Sequence, residues 1–344
     1  MKIPDRPINR RQFIERSAQE VGLLAITGSA INASVDSAAA ASSDSTKNPF
    51  AYDVRRFAQT DSKLIGYEEV RRFSSPGPDP RRIAIGPEDR IYIANKNGVD
   101  VLAADGTRLE TIASTRPARC VAVAGDGTVY IGLKDQLQLF DPKGRPVATW
   151  EIPGKKAWLT GLAVAKTDVF CADSGQRVVL RFDRSGKFLN RLGEKNKERA
   201  VPGLIVPSPY LDVAVAKDNL VRVNNPGRHC VEVYTADGGL ELSWGKPSAA
   251  IEGFCGCCNP IGLAMFPDGS CITCEKGLPR VKKYSIDRDF DCVIAGPESF
   301  AENARAHDLS DCTVGGMDAA VDSQNRVYVL DLITNEVRVM RRKA

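Results

Sequence analysis

The sequence predicts an all-β fold: a six-bladed β-propeller with four antiparallel strands per blade, its ring closed by an N-terminal strand. Three observations predict it. A blade-sized pattern recurs from about residue 80 to the end of the chain. Within each copy, Val, Ile, Tyr and Phe alternate with polar residues between Gly-rich or Asp-Gly turns, which is the period of strands rather than helices. The last copy is one strand short, and a spare strand-like run precedes the first copy.

The copies are RRIAIGPEDRIYIAN (81–95), RCVAVAGDGTVYIG (119–132), LTGLAVAKTDVFCAD (159–173), YLDVAVAKDNLVRVN (210–224), PIGLAMFPDGSCITCE (260–275) and GMDAAVDSQNRVYVLD (316–331). Aligning Ile85, Val123, Val164, Val215, Met265 and Val321 gives steps of 38, 41, 51, 50 and 56 residues. Repeats of about 20–50 residues mean solenoids or propellers. The second copy, extended to residue 152, divides into four strands, with Asp126-Gly127 and Lys143-Gly144 suited to turns that need positive φ. Six such copies fit a propeller, where radial repetition protects the sheet edges. YEEVRRF (67–73) is the spare run, and it is expected to be the outer strand of the last blade.

VFCADSGQRVVLRFDRSGKFLNRLG (169–193) and VYVLDLITNEVRVM (327–340) resemble NHL-repeat propellers: strand, Ala-Asp or Leu-Asp, polar turn, strand. The resemblance spans roughly residues 63–344 and implies the propeller fold. It implies no single activity, because one fold hosts enzymes, sensors and scaffolds. The Cys-rich fifth unit (254–285) is similar to a subgroup of exported bacterial NHL proteins.

The first 41 residues lie outside the repeats. Arg10-Arg11-Gln12-Phe13-Ile14 resembles a twin-arginine export signal, with Asn9 where Ser or Thr is usual. A short apolar stretch (21–31) and the small-residue run SAAAAS (37–42) follow, as a cleavable signal requires. The stretch is too short for a bilayer span, which needs about 20 residues. The expected organisation is a signal over 1–41, a linker over 42–62 and the propeller over 63–344. The expected location is the bacterial periplasm or cell envelope, with no stable membrane span after cleavage. Net charge is +4, with both signs interspersed, which does not mark a nucleic-acid binder. Short basic runs such as PRR (80–82) and PRVKK (279–283) read as solvated rim. A monomer is expected.

Seven of the ten cysteines fall between residues 255 and 312. With strands a to d running from the ring centre outward, the d–a and b–c loops share one face. Cys255, Cys257 and Cys258 fall in the d–a loop before blade five, and Cys312 in the one before blade six. Cys274 ends strand b of blade five, and Cys292 lies in its strand d. Cys271 and Cys274 mimic a zinc-ribbon spacing, but residues three apart on a strand point to opposite faces. A thiolate site would therefore draw on Cys255 and Cys258, with Cys257, Cys312 and either Cys292 or Cys274. Such a set suits zinc or an iron–sulfur cluster. Disulfides are the competing expectation in an oxidising compartment, and free thiols the third. Cys120, Cys171 and Cys230 read as buried small apolar residues.

Strand b ends in Asn95, Gly132, Asp173, Asn224, Glu275 and Asp331 in successive blades. Asp173, Asn224, Glu275 and Asp331 form a candidate ring for calcium, as the likeness to gluconolactonase-type propellers implies; the alternative is capping of the b–c turns. Lys276 beside Glu275, and His307 near Cys312, complete the candidate ligand-binding set. Two histidines in the whole chain argue against an amidating-lyase-like metal site. No nucleophile-elbow, His-Glu-x-x-His or phosphate-loop pattern occurs. The three tryptophans read as packing between blades, with Trp158 able to stack on a ligand if it faces the channel.

The leading functional expectation is a binding or scaffold protein that presents this face to a small-molecule ligand or protein partner. The alternatives are a metal-dependent lyase or hydrolase, and an electron-transfer protein.

Overall fold

The computed structural model describes residues 57–300 and 316–344. The expected signal and most of the linker, with His307 and Cys312, lie outside the described residues. Six four-stranded antiparallel sheets make up the fold. Blade one comprises β2 (Arg82–Ile85), β3 (Ile91–Asn95), β4 (Gly98–Leu102) and β5 (Arg108–Ala113). Blade two comprises β6 (Cys120–Val123), β7 (Val129–Gly132), β8 (Gln136–Phe140) and β9 (Pro146–Glu151). Blade three comprises β10 (Leu159–Val164), β11 (Asp168–Asp173), β12 (Val178–Asp183) and β13 (Phe188–Leu192). Blade four comprises β14 (Val213–Val215), β15 (Val221–Asn225), β16 (Cys230–Tyr234) and β17 (Leu240–Trp244). Blade five comprises β18 (Gly262–Met265), β19 (Cys271–Glu275), β20 (Arg280–Tyr284) and β21 (Phe290–Ala295).

Blade six carries the closure. Its three late strands, β22 (Met317–Val321), β23 (Val327–Asp331) and β24 (Glu336–Arg342), are joined on the outside by β1 (Tyr67–Ser74). The β1–β24 register runs antiparallel from Tyr67 opposite Arg342 to Ser74 opposite Glu336, with a bulge at Glu69/Arg71. The spare run thus takes the place expected of it.

Packing follows from the two-residue period of the strands. On β3, Ile91 and Ile93 point toward blade six, against Tyr328 and Leu330. Tyr92 and Ala94 point the other way, against Val121, Val129 and Ile131 of blade two. Neighbouring blades pack against both faces of each sheet, so the second strands of blades one, three, five and six are buried along their length. Trp150 lies against Tyr130 and Phe182, and Trp244 against Phe254 and Tyr284, so both fill seams between blades. Cys120, Cys171 and Cys230 are buried free thiols. Among the described residues no helix is long and apolar enough to cross a membrane.

Candidate functional site

The d–a and b–c loops meet at one end of the ring, as the repeat order requires. The strand-b residues there serve their own blades. Asp173 Oδ1 accepts from the Trp158 and Gln176 backbone amides at 2.9 and 3.0 Å, and Oδ2 from Gln176 Nε2 at 2.6 Å. Asp331 Oδ1 accepts from the Ile333 and Thr334 amides at 2.9 and 3.3 Å. Asn224 accepts from the Asp212 amide at 2.5 Å and donates to the Pro260 carbonyl at 2.8 Å, tying blade four to blade five. These are turn and seam bonds of the kind Asp and Asn make readily.

Glu275 is fully buried. Its carboxylate lies 2.7 Å from Arg280 Nη2 and 2.8 Å from Lys282 Nζ, and accepts from the Cys255 amide at 3.0 Å. Arg280 and Lys282 are buried as well, which corrects the reading of 279–283 as a solvated charge cluster. Both donate onward: Arg280 to the Ala249 carbonyl at 2.9 Å, and Lys282 to the Ile251 and Gly253 carbonyls at 2.9 and 2.6 Å. Burial alone would raise the Glu275 pKa, but the two cations outweigh it and hold it below the usual value. Burial lowers Lys282 to about 8 against the pull of Glu275. Lys276 is buried, its Nζ 4.6 Å from the centre of the Tyr210 ring. Its backbone is fastened to Asn259, whose amide also donates to the Cys255 carbonyl at 2.5 Å.

The cysteines divide. Cys255, Cys258, Cys274 and Cys292 are buried free thiols, and Cys257 is disulfide-bonded. Cys258 Sγ lies 3.3 Å from Cys257 Sγ. Burial pushes the Cys255 thiol up, and Cys274 much further. Cys274 packs into the blade five–six core, whereas Cys271 packs beside Phe254 and Tyr284 on the other side of its sheet. Cys292 sits on the outer strand, its Sγ 3.9 Å from Arg342 Nη1. Among the described residues no three His, Cys, Asp or Glu side chains gather around one point. The described thiols are thus spread over the loop before blade five and both sides of its sheet.

The centre of the ring is a channel of about 270 Å³, lined by the innermost strands of all six blades. Arg82 spans its d–a/b–c end. This corrects the reading of 80–82 as rim, for Arg82 is buried. Arg82 Nε donates to the Thr160 carbonyl at 2.7 Å, and Nη1 to Asp212 and Asp318 at 3.0 and 2.8 Å. Asp318 accepts from the Ile83 amide, and Asp212 from the Leu263 amide, each at 2.8 Å. One guanidinium thereby links blades one, three, four and six, and Asp212 adds blade five. Burial would lower the Arg82 pKa, but the two carboxylates more than reverse it. Burial, aided by Asp318 and opposed by Arg82, pushes Asp212 up to about 6.

Beside the channel mouth lies a second cavity of about 470 Å³, floored by Trp158 and walled by Val206, Pro207 and Pro209. Lys134 and Lys156 stand at its edge, exposed. Among the described residues neither lysine has an ion pair with a carboxylate. Arg119 Cζ lies 4.0 Å from the centre of the Trp158 ring, and Arg119 Nε donates to the Leu159 carbonyl at 3.0 Å. Two lining groups, Trp158 Nε1 and Ser208 Oγ, are buried without a hydrogen-bond partner. Of this cavity, sequence reasoning identified Trp158 alone as a stacking residue; the lysines come from loops of different blades.

No protein-family model matches the chain, and no curated protein does. Solved structures share its fold. A streptogramin B lyase is 14% identical with a TM-score of 0.54, covering 80% of this chain and 97% of its own. The virginiamycin B lyase from Staphylococcus aureus is 13% identical with a TM-score of 0.55, covering 80% and 99%. A protein of unknown function from Bacteroides thetaiotaomicron is 12% identical with a TM-score of 0.58, covering 80% and 76%. At such identities the likeness is one of fold.

Proposed function

We propose that this propeller is a binding module that presents its d–a/b–c face to a small-molecule ligand or a protein partner after twin-arginine export to the periplasm or cell envelope. The observation that carries the reading is the contrast on that face. The strand-b carboxylates and amides make turn, seam and cluster bonds, with one Asp331 oxygen left over, while at the Trp158 cavity Lys134 and Lys156 have no carboxylate partner among the described residues. A largely preformed recess with a few convergent polar groups is what a ligand site requires. The disulfide at Cys257 supports an oxidising location. Native mass spectrometry of protein recovered from the cell envelope tests the reading. A co-purifying small molecule or a stoichiometric partner is expected; bare protein, with no thermal shift across a panel of small anions, cations and neutral sugars, would overturn it.

A lyase is the second reading, supported by the two lyases of like fold. It is tested by turnover of streptogramin B antibiotics. A thiolate-held zinc or iron–sulfur centre would draw on Cys255 and Cys258 with Cys312. Metal and acid-labile sulfide content, compared with Cys258→Ser, decides it: unchanged content removes the centre.

A further inference from the structure

We infer that the Trp158 cavity is a site for a small aromatic carboxylate, an inference that rests on the binding reading above and gives that face its ligand class. The charge around the cavity has one sign. Lys134 Nζ lies 5.7 Å from the Trp158 ring centre, Lys156 also lines the cavity, and the Arg119 guanidinium lies against the ring. The acids nearby are spent: Asp135 pairs with Arg116 at 2.6 Å, and Asp173 holds the Trp158 and Gln176 amides. No carboxylate lines the cavity. A carboxylate held by these lysines would gain charge-assisted bonds, which are about twice as strong as neutral ones.

The body of the ligand is read from the walls. An indole faced by two prolines and a valine accommodates a flat ring, and aromatic stacking adds about 0.5–1.5 kcal/mol to the area buried. Ser208 Oγ and Trp158 Nε1 are hydrogen-bond donors with no acceptor. Buried polar groups are normally partnered, and leaving one bare costs about 1–3 kcal/mol. Both belong to residues that line the cavity, but each atom is itself shut off from solvent, so they mark unfilled bonding capacity beside the site rather than a direct contact with the ligand.

The floor is held in place before anything binds. The Trp158 amide donates to Asp173, and its carbonyl accepts from the Ser174 amide and hydroxyl at 3.0 and 3.1 Å. Gly175 lies so close to the Lys156 carbonyl that a Cβ there would collide with it. A fixed indole loses little freedom on binding.

The test is a titration of the purified protein with 4-nitrobenzoate, read by quenching of tryptophan fluorescence. Its neutral isostere 4-nitrobenzamide and inorganic phosphate are the comparison probes. Saturable quenching by 4-nitrobenzoate is expected, with affinity at least tenfold above that for the amide. The double variant Lys134→Ala/Lys156→Ala should weaken it at least tenfold with no change in unfolding midpoint, since both side chains are exposed. Trp158→Phe should remove most of the quenched signal, because Trp150 and Trp244 lie in blade seams. Equal affinity for acid and amide, or an unchanged double-lysine variant, would overturn the site. Phosphate binding as tightly as 4-nitrobenzoate would overturn the aromatic half of it. Quenching that survives both the double-lysine variant and Trp158→Phe would place the ligand elsewhere on the protein, overturning this cavity while leaving the binding reading intact.

Discussion

Arg82 shows how much a single side chain can decide. Three positions before the aligned aliphatic residue of each repeat stand Arg82, Cys120, Gly161, Asp212, Gly262 and Asp318. The column holds one cation, two acids and two glycines, and the glycines leave room. A Cβ on Gly161 would meet Asp212 Oδ1, and one on Gly262 would come within 3.4 Å of Asp318 Oδ1. Read along the chain, Arg82 is one of three neighbouring PRR residues and looks like rim; read down the repeat column, it is the cation that pairs with two buried acids. Arg82→Met is expected to destabilise the protein by about 3–5 kcal/mol, the cost of leaving buried charges uncompensated, as measured by urea unfolding at pH 7. The pH dependence has a definite sign. Asp212 is raised in the folded state to about 6, so between about pH 4 and 6 the folded protein binds more protons than the unfolded chain. Its contribution to stability therefore falls as pH rises through that window. Asp212→Asn should flatten this part of the unfolding-midpoint profile; an unchanged slope would assign it to other groups.

At the scale of elements, the long loop before β18 is held by a buried ion cluster rather than by regular structure. Arg280 and Lys282 reach from β20 through Glu275 on β19 to the carbonyls of Ala249, Ile251 and Gly253. The strand pattern places Glu275 opposite Arg280 in the register, and that pairing is derivable from the sequence. What is not derivable is that this end of the sheet is covered by residues 246–258, so that an ordinary cross-strand pair becomes a dry one. The reading of the cysteines shares this asymmetry. Strand alternation separates Cys271 from Cys274, as found, but nothing local to Cys257 says that it is bonded while Cys258 beside it is free. Glu275→Gln would leave two buried cations without their counter-charge and remove an ionic acceptor from the Cys255 amide. A loss of about 3–5 kcal/mol is expected. Cys255 and Cys258, now buried, should react with a thiol reagent at least tenfold faster under native conditions. Retained protection would mean that the Asn259 bonds alone hold the loop.

At the scale of the molecule, the repeats determine the fold almost completely because a propeller is a chain of nearest-neighbour seams. Each blade buries both faces only against its neighbours, so the seam between blades six and one has to form as well, and β1 lies on the outer edge of blade six. Most of β1 is exposed; Tyr67 is its buried residue, at 2% exposure. Its contribution beyond the ladder lies in Tyr67 and in the pairing of Glu69 with the nearly buried Arg338 at 2.9 Å. The ring therefore depends on a segment more than 260 residues away in sequence from its partner strand. Tyr67→Ala should cost about 3–5 kcal/mol, as for other large buried aromatic residues, without changing the strand content. A stronger test separates closure from chain order. A circular permutant that joins residue 344 to residue 57 through a short linker and opens the chain in the exposed 194–200 loop keeps every seam. It should unfold in one cooperative step near the parent midpoint. Deleting residues 57–74 removes the outer strand, leaves the β24 edge unpaired, and should abolish that single step. If the deletion unfolded like the parent, five complete blades and a three-stranded sixth would suffice to close the ring, and β1 would be an edge cover rather than a closure.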